Sequence, residues 1–383
     1  MPRKFTVQIP QCKIEDIKSR VKSYSWFAAP QDEEKSWSRG VNTSYLKELC
    51  DYWVCQYDWR ANEAHLNQFP QFIETIDGID IHFLHVRGEG SKSRPIILTH
   101  GWPGSHYEFW SVIEQLAFPS RNGGNPEDAF DVIVPSLPGF GFSGKPPKPI
   151  GPRATARLWN KLMTECLGYS RYLAQGGDLG SLVTSFLGLD FDACVGIHLN
   201  MISLQPADSI PVTDEEADWL QVYATVHRTE GAYLHQHTTK PQTIAIALGD
   251  SPVGTAAWIL EKVHGWTDLR AGSLKDIYSN DEILTNIMIY LVNDAISSSI
   301  WFYRGLIEEG NLSLSAEEHL SKPTGIANFL GEPVFNNPPR SWAERMFNIV
   351  HWTDIDQGGH FAAMENPKLF ANDVQDFARL ISF

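Results

Sequence analysis

The stretch Arg171-Tyr-Leu-Ala-Gln-Gly-Gly-Asp-Leu-Gly-Ser181 decides the fold of this 383-residue chain. Tyr172 to Ala174 predicts a short buried strand, and Ser181 to Leu189 predicts a helix with an apolar face. Glycines between the two elements permit a sharp turn, with Asp178 at its apex. A strand, a tight turn and a helix with this spacing predict a nucleophile elbow.

The apex residue of such a turn is usually Ser, and its replacement by Asp178 determines the chemistry. A carboxylate is ionised at pH 7 without a base, and the positive end of the following helix favours that charge. It suits attack on an sp3 carbon that carries an oxygen or halide leaving group, which gives an alkyl-enzyme ester. Activated water can cleave an ester, whereas the ether that Ser would form resists water. A Gly-Gly-Asp turn with a solvated carboxylate is the alternative interpretation.

Composition indicates a globular protein with one large domain and insertions, or with two domains. The chain is 43% hydrophobic and 20% charged, which supplies an ordinary core. Its net charge of -15 argues against nucleic acid or an anionic membrane surface as a partner. The five cysteines have no metal or redox spacing, and their scatter predicts reduced thiols. Because no signal peptide or apolar span is visible, we expect a soluble, cytoplasmic protein, with organelle import as the alternative.

Strands and helices alternate along two parts of the chain, which predicts a mostly parallel sheet with helices on both faces. Residues 1–77 are rich in Trp and acidic groups and are predicted to wrap around a larger body, with a binding arm as the alternative. Residues 78–205 and 322–383 form the predicted core. Residues 206–321 lack buried-strand runs and are predicted to be a helical cap over an active site.

Three segments show the periodicity of a single helix, and one alternates like a strand. The predicted helices are Ile14–Tyr24, Ser44–Trp59 and Ile283–Glu309. The predicted strand is Phe5–Ile9. These elements place two helices in the N-terminal extension and one long helix in the cap.

An Asp nucleophile needs a base that activates water, and His360 is the candidate. The stretch Gln357-Gly-Gly-His-Phe-Ala-Ala363 follows a predicted strand and precedes a helix, so His360 lies in a loop at the sheet edge. Nucleophile, acid and histidine in this chain order are typical of such sites. A structural histidine is the alternative interpretation.

An acid should orient His360, and it should follow the penultimate strand, where Glu332 is available. Asp354 and Asp356 are nearer to His360 in sequence, but they lie on another loop and are interpreted as a solvated turn. The backbone N–H groups of Trp102 and Leu179 can form an oxyanion hole for ester hydrolysis.

These motifs together resemble those of the microsomal-type epoxide hydrolases of the α/β-hydrolase fold, essentially from end to end. The N-terminal resemblance is carried by Tyr57-Asp-Trp-Arg60, Phe69-Pro-Gln-Phe72 and Ile76-Asp-Gly-Ile-Asp-Ile-His82. The active-site resemblance is carried by His100-Gly-Trp-Pro-Gly-Ser105, Gly176-Gly-Asp-Leu-Gly-Ser181 and Gly358-Gly-His-Phe-Ala-Ala363, and the cap resemblance by Thr239-Lys-Pro-Gln242 and Asp250-Ser-Pro-Val-Gly254.

The resemblance implies that the chain opens an epoxide to a vicinal diol through an alkyl ester on Asp178, which His360-activated water then hydrolyses. It implies that two cap tyrosines, Tyr233 and Tyr303, hydrogen-bond the epoxide oxygen, and core packing is the alternative for both. No metal and no organic cofactor are expected. We expect a small, lipophilic epoxide as substrate, and the sequence allows a homodimer. Without an N-terminal membrane anchor, the chain resembles the soluble microbial members.

The family's relay acid is an Asp or Glu a few residues before a Pro-rich segment and a Trp. The segment Pro338-Pro-Arg-Ser-Trp342 is present, but the stretch before it is about two residues longer than usual. Counting back from Trp342 reaches Val334, which cannot serve, and counting forward from Phe329 reaches Glu332, which we choose.

Two other functions compete with this interpretation. Haloalkane dehalogenases also use Asp, but they typically place a Trp directly after it, where this chain has Leu179. The cap tyrosines also suit oxygen better than halide. A non-catalytic binding protein that retains the fold is the second alternative, and the altered spacing after Glu332 is the feature that favours it.

Overall fold

A nine-stranded sheet runs through the part of the chain that the computed structural model describes, which is residues 2–28, 30, 36–90, 92–310 and 312–383. Its strands are β1 (Arg3–Phe5), β2 (Gln71–Ile76), β3 (Ile79–Val86), β4 (Arg94–Thr99), β5 (Phe130–Pro135), β6 (Tyr172–Gly176), β7 (Cys194–Leu199), β8 (Leu320–Phe329) and β9 (Phe347–Ile355). The order across the sheet is β1-β2-β3-β5-β4-β6-β7-β8-β9. The pairs from β5 to β9 are parallel, and those from β1 to β5 are antiparallel. The prediction of a mostly parallel α/β sheet is confirmed.

The helices cover both faces of this sheet and fill the insertion between β7 and β8. In chain order they are α1 (Gln11–Lys22), α2 (Thr43–Cys55), α3 (Trp59–Leu66), α4 (Trp110–Ala117), α5 (Pro152–Lys161), α6 (Asp178–Asp190), α7 (Asp214–Glu230), α8 (Ala232–Thr239), α9 (Pro241–Asp250), α10 (Pro252–Trp266), α11 (Leu274–Ile277), α12 (Asn280–Val292), α13 (Ala295–Glu309), α14 (Arg340–Ala343), α15 (Ala362–Glu365) and α16 (Pro367–Arg379). A 3₁₀ turn, His106–Phe109, precedes α4, and a π-helical turn, Leu162–Cys166, follows α5.

The N-terminal extension contributes strands to the sheet as well as helices outside it. The predicted strand Phe5–Ile9 is wrong in its position. Strand β1 spans Arg3–Phe5 and ends where the prediction has it begin. The helix predicted from Ser44 to Trp59 is two helices, because the Asp58 carboxylate caps α3 by accepting from the Arg60 N–H at 2.8 Å. Strand β2 pairs with β3 over its whole length. The predicted boundary at residue 77 therefore falls in a β-hairpin of the sheet.

The insertion between β7 and β8 is helical, as the sequence predicts, but its longest predicted helix is broken. Helices α12 and α13 meet at 84°. Asp294 between them has φ of +49°, a left-handed conformation that cannot continue a right-handed helix. The next strand, β8, begins at Leu320, just before the predicted return to the core at residue 322. The residue limits of the predicted domains stay a prediction.

Among the described residues, no single helix combines the length and apolar character required to cross a membrane. Two bent helix pairs, α9 with α10 and α12 with α13, meet that requirement only when each pair is counted together, by length and composition alone.

The carboxyl edge of the parallel strands is where the functional loops gather. Strands β4, β5 and β6 are almost entirely buried, as expected when helices cover both faces. A buried Asp373 on α16 ties the last helix to the sheet. Its carboxylate lies 2.8 Å from Nε2 of His198 on β7 and 2.9 Å from Nε2 of His351 on β9.

Candidate active site

The predicted elbow places Asp178 at the first position of α6, directly after β6. Asp178 has φ of +49°, an unfavourable backbone conformation that the surrounding structure must hold in place. The neighbouring Gly180 packs against the backbone of Thr99, and a Cβ at this glycine would overlap the Thr99 carbonyl group. The glycine is therefore required for α6 to approach β4 and to aim the Asp178 side chain out of the turn.

The Asp178 carboxylate is held on two sides. Its Oδ1 accepts a hydrogen bond of 2.8 Å from the Trp102 N–H. Its Oδ2 lies 3.4 Å from Nε2 of His360. The side chain is 13% exposed, so it is accessible but largely enclosed. The Trp102 N–H thus contacts Oδ1 and the imidazole contacts Oδ2.

Glu332 lies on the other side of His360, with its Oε2 2.8 Å from Nδ1 of the imidazole. Its Oε1 accepts hydrogen bonds from the Val334 and Phe335 N–H groups, at 3.0 and 3.1 Å. The longer stretch before Trp342 therefore wraps around the Glu332 carboxylate and positions it. Asp354 and Asp356 do not approach the site: Asp354 is exposed and accepts from Asn328 and Trp352.

The two carboxylates determine the charge of His360. Burial on its own lowers the pKa of His360, but the negative charges of Glu332 and Asp178 outweigh burial and raise this pKa to about 10. The imidazole is therefore protonated at neutral pH while Asp178 is free. If Asp178 loses its charge, only Glu332 still stabilises the imidazolium, and the pKa of His360 falls.

Cap and core meet behind the His360 loop. The sequence motifs do not indicate this connection. The His360 N–H donates to the carbonyl oxygen of Trp266, at the end of α10, over 3.0 Å. Glu365 accepts from the N–H groups of Asp268 and Gly359, at 2.9 and 2.8 Å, and burial raises the pKa of Glu365 to about 7. Its sequence signal is weak, because Glu365 lies five residues after the histidine in an ordinary short helix.

The two predicted cap tyrosines come together above Asp178. Tyr233 on α8 and Tyr303 on α13 have ring centroids 6.1 Å apart and nearly perpendicular planes. The Tyr233 ring stacks on Trp102 with centroids 5.3 Å apart. Burial first, and then nearby groups including the Asp178 carboxylate, raise the pKa of both hydroxyls well above the usual range. Both tyrosines are therefore proton donors at neutral pH.

The Tyr303 hydroxyl is buried and has no partner at full hydrogen-bond geometry among the residues that the structure describes, although the Tyr233 hydroxyl is near enough to affect its pKa. A buried donor without an acceptor costs about 1–3 kcal/mol. An oxygen atom of a bound molecule would satisfy this hydroxyl. Core packing stays the alternative interpretation of this tyrosine, and buried donors without a partner also occur at Tyr45 and Trp53.

Two polar residues that sequence reasoning missed pack beside the tyrosines. The ammonium of Lys262 on α10 lies 4.9 Å from the centroid of the Tyr233 ring. Burial, followed by the charge of Lys262, lowers the pKa of His237 to about 3. His237 is therefore neutral, and its Nε2 accepts a hydrogen bond of 3.2 Å from Trp258. Their sequence signal is no more than the amphipathic pattern of cap helices.

A cavity of about 360 Å³ opens in front of Asp178 and the tyrosines. Its wall is largely apolar, with polar side chains at intervals. Lining residues are Leu179, Leu182, Met201, Tyr223, His227, Leu234, Leu306 and Phe335. Leu179, the predicted second member of the oxyanion hole, is thus at the cavity floor next to Asp178. No cluster of three metal-ligating side chains occurs within the described ranges.

Comparison with known proteins agrees with this geometry. Residues 2–109 match the family model described as epoxide hydrolase N terminus, and residues 94–237 match the one described as alpha/beta hydrolase fold. A protein of Stigmatella aurantiaca is 42% identical, over 98% of this chain and 84% of its own length. Epoxide hydrolase 1 of Sus scrofa is 35% identical, over 99% of this chain and 89% of its own.

The structure is also similar to solved ones. The epoxide hydrolase of Aspergillus niger superposes with a TM-score of 0.86 at 33% identity, covering 100% of this chain and 97% of that one. The likeness thus includes the N-terminal extension, the core and the cap together. The chain belongs to the epoxide hydrolase family with the α/β-hydrolase fold, and it is an epoxide hydrolase.

Proposed function

We propose that the chain opens its epoxide by a covalent route in which Asp178 is the nucleophile. The observation that carries this proposal is the arrangement around one carboxylate: a histidine–glutamate pair behind it, a backbone donor at Oδ1 and two hydroxyls across the cavity. Oδ2 attacks one ring carbon, and the C–O bond to the epoxide oxygen breaks. Tyr233 and Tyr303 donate hydrogen bonds to that oxygen, and one of them transfers a proton to it.

The second half of the reaction hydrolyses the ester on Asp178. Esterification removes the negative charge next to His360 and so lowers the proton affinity of the imidazole. The imidazolium then passes its proton, through solvent, to the tyrosinate that the first step left, and His360 becomes a neutral base. Glu332 keeps the imidazole oriented, with Nε2 directed toward Asp178. His360 removes a proton from water, and the hydroxide attacks the ester carbonyl. The N–H groups of Trp102 and Leu179 stabilise the resulting oxyanion. When the tetrahedral intermediate collapses, the bond between the carbonyl carbon and Oδ2 breaks. The diol leaves with Oδ2 and the proton of the newly formed carboxyl, which restores the Asp178 carboxylate and a protonated His360.

The cavity favours a lipophilic epoxide. Its wall in front of Asp178 presents Leu182, Met201, Leu234, Leu306 and Phe335. Burial of apolar surface contributes about 25 cal/mol per Å², so an alkyl or aryl substituent gains binding energy in this space. At the rim, Ile307 and Leu312 are 44% and 37% exposed and extend the apolar surface outward. A homodimer and a cytoplasmic location stay predictions from the sequence.

Trapping the ester tests this proposal. The variant His360→Gln, mixed with styrene oxide, should gain the mass of one substrate molecule, on the peptide that carries Asp178. His319→Gln is the matched control. This exposed histidine directly precedes β8, whereas Glu332 follows the other end of the same strand. It should turn over normally without an adduct. Normal turnover by His360→Gln without an adduct would refute the assignment.

Isotope labelling tests the same route in the unmodified protein. A single turnover in ¹⁸O-water should place label in the Asp178 carboxylate, because water attacks the ester carbonyl. Diol with no label in that peptide would mean that water attacks the epoxide directly. Halide release from a chloroalkane of similar size would support the dehalogenase alternative instead.

A further inference from the structure

We propose that Glu108 positions the water molecule that hydrolyses the ester on Asp178, in a cavity behind the nucleophile. This inference rests on the proposed covalent route, because it concerns only the second half-reaction. Glu108 lies on the 3₁₀ turn His106–Phe109, which follows the His100–Ser105 loop. The sequence motifs did not assign it any role.

The cavity itself has the size and the polar groups that one water molecule requires. Its volume is about 20 Å³, which is enough for one water molecule and too little for a substituent of the substrate. Glu108, Asp178, His360 and Asn200 all line it. It lies on the side of Asp178 away from the large cavity, since Trp102 and Gly177 line the small one and no tyrosine does. A water here is next to both the base and the carbonyl carbon.

The carboxyl of Glu108 is available to hold that water. Glu108 is half-buried, and no group in the described part of the chain makes a hydrogen bond or an ion pair with its carboxyl. The side chain folds over Gly104, where a Cβ would overlap the carboxyl. The residues around Gly104 are fixed from the cap: the Asn286 amide donates to the carbonyl oxygen of Pro103 at 2.9 Å, and the Tyr290 hydroxyl donates to that of Gly104 at 2.5 Å.

The electrostatic surroundings fit a carboxyl that accepts a hydrogen bond from water. Although the residue keeps some accessible surface, burial of its carboxyl raises the pKa of Glu108 to about 8, with smaller opposing effects of His360 and Asp178. In either protonation state one carboxyl oxygen remains an acceptor. Water that donates one proton toward Glu108 and the other to His360 directs its lone pair at the ester carbon.

A second small cavity continues from Glu108 away from the active site. It also measures about 20 Å³ and is lined by Glu108, Tyr278, Glu282 and Asn286. Glu108 therefore lies between two water-sized spaces. This arrangement leaves room for water beside the ester while the substrate's own substituent fills the large cavity.

Separating the two half-reactions tests the proposal. Rapid mixing with styrene oxide, followed by acid quench and intact mass, gives the rate at which the adduct forms and the rate at which it decays. In Glu108→Leu, which removes the acceptor, the adduct should form at the normal rate and decay about 100-fold more slowly. In Glu108→Gln, which keeps an acceptor oxygen, the decay should stay within about fivefold of normal. Glu114→Leu, an exposed residue on α4, is the matched control and should change neither rate.

Gly104→Ala provides an independent measurement if Glu108→Leu does not fold, since it displaces the carboxyl and keeps it in the chain. It should also slow only the decay. Normal decay in Glu108→Leu, or an equal loss of both rates, would overturn the role of Glu108 while adduct formation leaves the covalent route intact. Absence of any adduct in His360→Gln would overturn the covalent route and, with it, this inference.

Discussion

The pKa of His360 should depend strongly on the charge of Asp178, and the variant Asp178→Ala tests this directly. The carboxylate Oδ2 lies 3.4 Å from Nε2, and both side chains are largely buried. At an effective dielectric constant of about 20, two charges at this distance attract by roughly 5 kcal/mol. Because about 1.4 kcal/mol corresponds to one pH unit, loss of this attraction alone corresponds to a fall in the pKa of about 3.5 pH units.

The observed change should be somewhat smaller, about 2 to 3 pH units, because water enters the space that the alanine leaves. Glu332 still raises the pKa of His360 in the variant, and burial still lowers it. The proposed mechanism requires the pKa of His360 to fall when Asp178 loses its charge. With its pKa of about 10, the imidazole is protonated in the free enzyme, whereas ester hydrolysis needs a neutral imidazole.

The assay is an NMR titration of histidine labelled with ¹³C at Cε1, with the His360 signal identified by its loss in His360→Gln. Asp354→Ala is the control, because this exposed carboxylate contacts Asn328 and Trp352 and not the imidazole. A His360 pKa that changes by less than half a pH unit in Asp178→Ala would refute the coupling. The base would then have to be activated by a group other than the nucleophile.

Three further predictions follow from the same geometry. Glu332→Gln should slow ester hydrolysis on the order of 10³-fold and leave adduct formation nearly unchanged, measured by quenched-flow mass spectrometry; unchanged hydrolysis would exclude it as the relay acid. Tyr303→Phe and Tyr233→Phe should each slow adduct formation about 100-fold and leave adduct decay unchanged, whereas equal slowing of both steps would indicate a packing role. Asp373→Asn should lower the free energy of unfolding by about 3 kcal/mol at pH 6, measured by urea denaturation, because it breaks a buried pair with His198.

The Asp373 variant also has a predicted pH dependence. Burial alone raises the pKa of Asp373, but hydrogen bonds from His198 and His351 outweigh it and lower this pKa below its usual range. A lowered carboxyl pKa contributes stability above the unfolded-state value of about 4 and loses it as the pH falls through the folded-state value. The difference in stability between the unmodified protein and the variant should therefore shrink below pH 4. A difference that is constant from pH 3 to pH 7 would contradict the ionic origin.

Local patterns in the sequence determined the main features of this protein. The elbow around Asp178, the alternation of strands and helices and the loop that carries His360 each depend on residues close together in the chain, so periodicity and glycine spacing predict them. Resemblance added the cap tyrosines, and the structure brings Tyr233 and Tyr303 together above Asp178. The choice of Glu332 over Asp354 did not come from a local pattern. It depended on the expected order of the strands, which places the acid on the loop after the penultimate strand.

Only the tertiary structure decided the features that depend on distant contacts. Backbone conformation at Asp294 breaks a helix whose apolar pattern is continuous, because periodicity does not reveal a single left-handed residue. Pairing with β3 makes β2 part of the sheet. The position of the Glu108 carboxyl beside a water-sized cavity is visible only when every neighbour is present. The role proposed for Glu108 arises from what surrounds it in space, and the sequence motifs contain no local signal for that.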